Sequence, residues 1–312
     1  MMVLGVDIGG TKIAAGIVDG DTGLVLHSDR TPTEAHEGGA AVLARAIAFA
    51  RTVADAANVP LEAVGIGAGG QIDYRTGVVL SATEILPGWA GTRLADSFAE
   101  AFGVPAFADN DVNAFAQGEY RFGAGRGATD CVFLALGTGV GGAIIAGGKL
   151  HRGKRGTGGE LGHLFMLWDF GAGRSTLEHM TCGDALVGAY YDEPAYRSMH
   201  DAPLGKTGVE IGVLALSGDP DAVDSVKSVG DFLGIGLASL ANVLDTERFV
   251  IGGGVSELGE LLLAPARETF QQHVLPLYRD TEIVAAELGK NSSVVGAACV
   301  ALSAIESNRT VV

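Results

Sequence analysis

The sequence is short of cysteine, of basic charge and of long apolar runs, and each shortage closes a class of function. Three cysteines in 312 residues, Cys131, Cys182 and Cys299, are odd in number and far apart. They build neither a disulfide framework nor a CxxC metal clip. Lys and Arg total 21 against 37 Asp and Glu, a net charge of −16. Such a surface is a poor partner for nucleic acid or anionic lipid. The N-terminus, MMVLGVDIGGTK, has no basic stretch ahead of an apolar core, so no signal peptide is expected. The most apolar stretch, residues 131–148, is broken repeatedly by glycine and reads as strand, turn, strand rather than a membrane span. At 47% hydrophobic and 19% charged, the chain is not disordered. A cytoplasmic globular protein of one large domain or two ordinary ones is expected.

Glycine is what the chain has in excess. It holds 48, about twice the usual share, without the G-X-Y period of collagen. Val3–Ile8 is a β-branched run ending at Gly9-Gly10, and residues 11–19 and 24–27 continue an antiparallel meander. Residues 39–57 read as an alanine-rich helix and 63–67 as a buried strand. Leu94, Phe98 and Phe102 mark a helix that Thr92 would cap and Gly103 would end. Residues 104–108 are a strand delivering Asp109-Asn110-Asp111 to a helix through Tyr120. The opening pattern then recurs, with strand 131–136, a glycine turn over 137–142 and strand 143–146. Helix 229–244, strand 249–251, Gly252-Gly253-Gly254 and further helices complete the chain. Mixed strands and helices in this order mean an α/β protein of two related lobes with a cleft between them.

The glycine turns carry the first chemistry. Asp7-Ile8-Gly9-Gly10-Thr11-Lys12 is not a Walker loop, because a strand rather than a helix follows. It still holds what a phosphate site needs. Gly9 and Gly10 admit an anion close to the backbone, Thr11 and Lys12 donate, and Asp7 is placed to hold a hydrated Mg²⁺. The plainer reading is a tight hairpin with a buried Asp. A second turn at Gly137, Thr138 and Gly139 would hold a nucleotide triphosphate from another side. Gly253 and Gly254 suit packing under a base or ribose, or are an ordinary turn.

Five motifs in order carry a resemblance that spans nearly the whole chain: Asp7–Lys12, Asp109-Asn110-Asp111-Val112-Asn113-Ala114, Leu136–Gly142, Gly159-Glu160-Leu161-Gly162-His163 and Ile251–Val255. The chain resembles the sugar kinases of the repressor/open-reading-frame/kinase (ROK) family. The resemblance implies an actin-like ATPase (ribonuclease H-like) fold of two lobes with an interdomain cleft. The lobes would be residues 1–118, completed by a helix near 295–312, and residues 119–294. It implies ATP and Mg²⁺ as cofactors, closure on substrate, a homodimer or homotetramer, and phosphorylation of the 6-hydroxyl of a glucose-like hexose. Asp111 would be the general base, its charge favoured by a helix N-terminus, or else simply a helix cap. Gly70, Asn110, Glu160, His163 and Glu178 would line the sugar. Family repressors carry an N-terminal helix-turn-helix, for which a motif starting at residue 7 leaves no room.

Two departures stand out. Many family members hold a structural zinc with a CxCGxxGC run after the histidine motif, whereas residues 164–176 here contain no cysteine. His163 alone cannot supply about four N or S ligands, so no zinc is expected, and Phe165, Leu167, Trp168 and Phe170 would steady the loop by packing. Glu84 stands near the place of an asparagine that reaches the sugar in glucose-type members. A carboxylate there would pair with an ammonium, which keeps open an amino sugar (kanosamine-like) or a related cyclitol as substrate. A non-catalytic sugar sensor and a structural ATPase are the other readings.

Overall fold

The computed structural model describes residues 1–82, 86–169, 173–192 and 205–309. The chain divides into two compact units. Unit 1 comprises Met1–Arg126, Arg152–Gly158 and Glu287–Val312, and unit 2 comprises Gly127–His151 and Gly159–Ala286.

Unit 1 is built on strands β1 (Met2–Ile8), β2 (Lys12–Asp19), β3 (Val25–Pro32), β4 (Ala63–Ala68) and β7 (Ala106–Asn110), in the order β3-β2-β1-β4-β7. A small hairpin, β5 (Gln71–Asp73) and β6 (Val78–Ser81), branches from it. The first three strands form an antiparallel meander, and β1, β4 and β7 run parallel. Strand alternation divides β1 between two cores. Leu4, Val6 and Ile8 face a cluster with α1 (Gly39–Ala57) and α2 (Leu94–Phe102), where Val42, Phe98 and Trp89 are buried. Val3 faces the C-terminal helix α9 (Ser292–Arg309).

That second face accounts for glycines that belong to no motif. Gly16, Gly5 and Gly65 sit in register across β2, β1 and β4. A Cβ on Gly5 or Gly65 would run into the backbone of the C-terminal helix at Val294 or Ala297. The row of bare backbone therefore forms the bed on which that helix lies.

Helix α2 ends at Gly103, as its φ of 69° requires, but it is not capped by Thr92. The Thr92 carbonyl accepts the Val79 N–H at 3.0 Å, so this stretch is paired to β6 and the helix starts after Arg93. Helix α3 (Asp111–Phe122) follows β7 directly.

Unit 2 repeats the sheet, with β8 (Cys131–Leu136), β9 (Val140–Ala146), β10 (Lys149–Leu150), β13 (Arg248–Gly252) and β14 (Glu282–Ala285) ordered β10-β9-β8-β13-β14. It has the same antiparallel meander followed by parallel strands. The glycine turn is shorter than expected, because Val140, Gly141 and Gly142 already pair with β8. A second hairpin, β11 (Phe165–Asp169) and β12 (Gly173–Thr176), leads into α4 (Leu177–Thr181) and α5 (Gly183–Tyr190). Helices α6 (Gly208–Leu216), α7 (Pro220–Leu244) and α8 (Glu260–His273) follow, and α9 closes the chain in unit 1. Helix α7 starts at Pro220 rather than at the expected 229, because Asp219 accepts from the Ala222 N–H and Pro220 fits the first turn. Its inner face joins Leu134, Leu136, Phe249 and Ile251 in one core. No described helix is long and apolar enough to cross a membrane.

Candidate active site

In unit 1 the carboxyl ends of three parallel strands lie side by side, Ile8 next to Ala68 and Ala68 next to Asn110. Ligand sites in such sheets form where strands end, and the unit 1 residues singled out in the sequence gather there. After β1, the Gly9 N–H donates to the Lys12 carbonyl at 3.0 Å, closing a turn that leaves Thr11 and Lys12 exposed. The Thr33 hydroxyl buttresses this turn, donating to the Gly9 carbonyl at 2.6 Å.

Asp7 sits one residue inside the strand, on the face turned to α9, where the Ser293 hydroxyl bonds it. Withdrawal from water, and then the nearby Asp111 carboxylate, push the Asp7 carboxyl up to about 7; Ser293, Lys12 and Arg30 pull the other way. A carboxylate in that condition is relieved by a cation. A single carboxylate beside a glycine turn fits the way Mg²⁺ is usually held, by one or two carboxylates together with water and phosphate oxygens.

β7 ends on Asp109 and Asn110, and α3 opens on Asp111. The cap of α3 is Asn110, whose Oδ1 accepts the N–H groups of Val112 and Asn113. Its Nδ2 donates to the Gly70 carbonyl at 3.0 Å, which brings Gly70 and Asn110 together. Asp111 is the first helical residue rather than the cap, and its Oδ1 accepts the Val112 N–H at 2.9 Å. Behind them Asp109, 1% exposed, accepts from the Asn110 N–H, Asn113 Nδ2, Gln117 Nε2 and, at 2.6 Å, Arg152 Nη2.

Unit 2 presents a second arrangement at the ends of β8 and β13. The turn at Gly137, Thr138 and Gly139 is closed by the Gly137 N–H to the Gly139 carbonyl, and α5 grips it through the Gly183 N–H to the Gly137 carbonyl, both at 2.8 Å. Gly253 packs edge-on against Leu136 with φ 86°, a place where a Cβ would strike backbone. Beside these lies a cavity of about 470 Å³, lined by Gly137, Thr138, Gly183 and Gly254 and by apolar Leu186 and Val213. Glu178, on α4, turns its Oε2 to the Val140 N–H at 2.9 Å. Glu160 and His163 bracket a single 3-10 turn (Leu161–His163), and both are exposed.

Arg152, Ser293 and the apolar wall of the cavity were not singled out in the sequence. They act on residues far along the chain and have no local signature. Glu84 and Phe170 lie outside the described residues. Phe165 does not steady the loop: it is 59% exposed, and at the irregularity in pairing between Phe165 and Leu167 it is Met166 that packs onto the unit 2 core instead.

A structural zinc does not fit this donor set. Cys131, Cys182 and Cys299 are all buried, and their thiols are pushed up by desolvation, to about 11 in Cys131 and about 12 in Cys299. Among the described residues no three His, Cys, Asp or Glu side chains are grouped to hold a metal.

The ROK family model matches residues 3–304. The chain belongs to the ROK family. A ROK relative, the glucokinase of Streptomyces coelicolor, is 37% identical over 95% of this chain and 96% of its own. Among solved structures, a ROK family glucokinase from Streptomyces griseus in complex with glucose and AMPPNP superposes with a TM-score of 0.81 at 37% identity, covering 96% of this chain and 98% of that one. The ROK hexokinase from Thermus thermophilus gives 0.77 at 34% identity over 98% of this chain and all of that one. The ROK fold is the actin-like ATPase fold, and the repeated five-stranded sheet of units 1 and 2 is its duplication.

Proposed function

We propose that this protein is an ATP-dependent glucokinase, a hexokinase-type phosphotransferase that places the γ-phosphoryl group of ATP on the 6-hydroxyl of glucose. The observation that carries the reading is that Asp7, near the end of β1, and Asp111, at the start of α3, flank Gly67 on β4, where a Cβ would lie 3.7 Å from Asp7 Oδ1 and 3.7 Å from the Asp111 Cα, beside an anion-ready glycine turn. Proteins similar to this chain over nearly their whole length include the glucokinase of Streptomyces coelicolor and the glucose-bound ROK glucokinase of Streptomyces griseus.

Phosphoryl transfer asks little of a protein beyond positioning, charge neutralisation and a base. Asp111 accepts the proton of the 6-hydroxyl as that oxygen forms its bond to the γ-phosphorus and the bond to the β–γ bridging oxygen breaks, leaving ADP. Asn110, Gly70, Glu160, His163 and Glu178 bind the remaining hydroxyls. Gly9, Gly10, Thr11 and Lys12, with Gly137, Thr138 and Gly139, hold the phosphates. Asp7 would hold Mg²⁺ through water, and the ion would supply charge neutralisation for the phosphate oxygens. The apolar walls of the unit 2 cavity, with Gly254 in its lining and Gly253 next to it in the chain, suit a purine base. They favour a nucleotide donor over polyphosphate, which has no apolar part to place there.

We also propose that the protein is a homodimer or homotetramer located in the cytoplasm. Support comes from the exposed Val243 and Leu277, 81% and 79% accessible, near the bond by which Asn242 Oδ1 accepts the Leu275 N–H. Sedimentation velocity checks the assembly.

The deciding experiment is ADP release from Mg-ATP with and without glucose, mannose, N-acetyl sugars and amino sugars. Turnover that requires sugar and prefers glucose is expected. Hydrolysis indifferent to sugar would mark a structural ATPase, and sugar binding without turnover would mark a sensor.

A further inference from the structure

Glu178 entered as a sugar ligand, but its carboxylate already has a client in unit 2. Its Oε2 accepts the Val140 N–H at 2.9 Å, which fixes the residue that follows the Gly137–Gly139 turn. The fit is tight from the other side too: a Cβ on Gly139 would lie 2.6 Å from the same oxygen. Its other oxygen, Oε1, has no hydrogen-bond partner among the described residues. The helix that carries Glu178 is anchored independently of any ligand. Thr176 and His179 close a reciprocal cap on α4, Leu177 is buried in the core, and the Gly183 N–H that begins α5 holds the Gly137 carbonyl. Glu178 therefore stands on a rigid base, with one oxygen committed to the turn that lines the cavity and the other open.

We propose that Glu178 is a positioning residue for the nucleotide turn, and that through its two oxygens it couples sugar occupancy to nucleotide affinity. The proposal rests on the kinase reading above and adds a second task for the residue. A charged acceptor on a backbone N–H makes a strong, short hydrogen bond. Held by it, Gly137, Thr138 and Gly139 keep their shape before ATP arrives, and the nucleotide does not bear the cost of ordering them. A sugar hydroxyl donating to Oε1 restrains the carboxylate further and so stiffens the turn. By linkage, nucleotide must then tighten sugar by the same factor.

The test is calorimetric titration of Mg-AMPPNP into the whole protein, with and without glucose. In the wild type, glucose should tighten AMPPNP binding. Glu178→Ala should weaken AMPPNP about tenfold with no sugar present, the scale of one lost hydrogen bond to a charged group, and the effect of glucose should vanish. Glu178→Gln keeps an acceptor oxygen for Val140, so sugar-free nucleotide affinity should recover. Gly139→Ala approaches the same bond from the turn, and combining it with Glu178→Ala should cost no more than the worse single change, which keeps the test open should one variant fail to fold. If Glu178→Ala binds AMPPNP as the wild type does without sugar, Glu178 serves the sugar alone and the proposal is wrong. A wild type that binds AMPPNP but shows no effect of glucose overturns the coupling. A wild type that binds no nucleotide overturns the kinase reading itself, and this proposal with it.

Discussion

Arg152 donates from Nη2 to the buried Oδ2 of Asp109 at 2.6 Å, while its guanidinium lies 3.9 Å over the ring of Tyr74. The residues around it, Arg152–Gly158, belong to unit 1 although the chain on both sides belongs to unit 2. Asp109 in turn holds the Asn110 N–H and Asn113 Nδ2, and so sets the angle at which β7 hands over to α3 and Asp111. Replacing Arg152 with Met leaves a buried carboxylate with its neutral donors only. The expected cost is about 2 kcal/mol of stability, read from urea unfolding. A base displaced by a fraction of an ångström also loses rate, so kcat should fall about tenfold or more while KM for glucose and ATP stays near the wild-type value. An unchanged kcat in folded Arg152→Met would show that the pair only stabilises unit 1.

Asp111→Asn tests the base. The substitution keeps size and hydrogen bonding and removes proton affinity, and Asn110 rather than Asp111 caps α3, so folding should survive. Glucose-dependent ADP formation should drop by about 100-fold to 10,000-fold, the usual worth of general base catalysis. Glucose affinity, measured by tryptophan fluorescence or calorimetry, should change little. Equal losses in binding and rate would make Asp111 a sugar ligand instead.

The parts of this molecule that were legible in the sequence are those with local causes. The turns at Gly9-Gly10 and Gly137–Gly139 announce themselves because bare backbone between two apolar runs has few other uses, and α1 occupies the very span its alanine-rich pattern marks. The parts that were not legible depend on contacts made across long stretches of chain. Arg152 meets Asp109 across 43 residues, and Glu178 meets Val140 across 38. The glycines at Gly5, Gly16 and Gly65 raised the composition, but their purpose depends on strand register, which composition does not carry. The exposure of Phe165 shows the same limit. A hydrophobic loop residue reads as a packing residue until strand pairing decides which way it faces.

Metal content follows from the donor set. With no cysteine between residues 164 and 176, and the three thiols buried, the purified protein should hold well under one zinc per chain by plasma mass spectrometry. A strong zinc chelator should leave its melting temperature unchanged, since a zinc-free fold has no structural metal linked to folding. Stoichiometric zinc, or a chelator-induced loss of stability, would mean that another set of ligands has been assembled.

Asp7 gives the ligand-free protein a pH dependence whose sign can be worked out. In the folded state its carboxyl is raised from 3.8 to about 7, first by withdrawal from water and then by Asp111. The folded protein thus holds this proton over a pH range in which the unfolded chain has released it, and stability falls wherever the folded state binds more protons. The contribution of Asp7 is fully favourable below pH 3.8, declines as pH rises toward about 7, and is constant above that. Asp7→Asn removes the titrating group. Its melting temperature relative to wild type should therefore climb steadily between pH 4 and 7 and then level, both measured without nucleotide or metal. At pH 8 the same variant should be more stable than wild type yet almost without kinase activity, because the charge that destabilises the empty protein is the one proposed to hold Mg²⁺. Parallel melting curves for the two proteins across the whole range would show that Asp7 ionises normally, and would remove the electrostatic argument for a cation beside it.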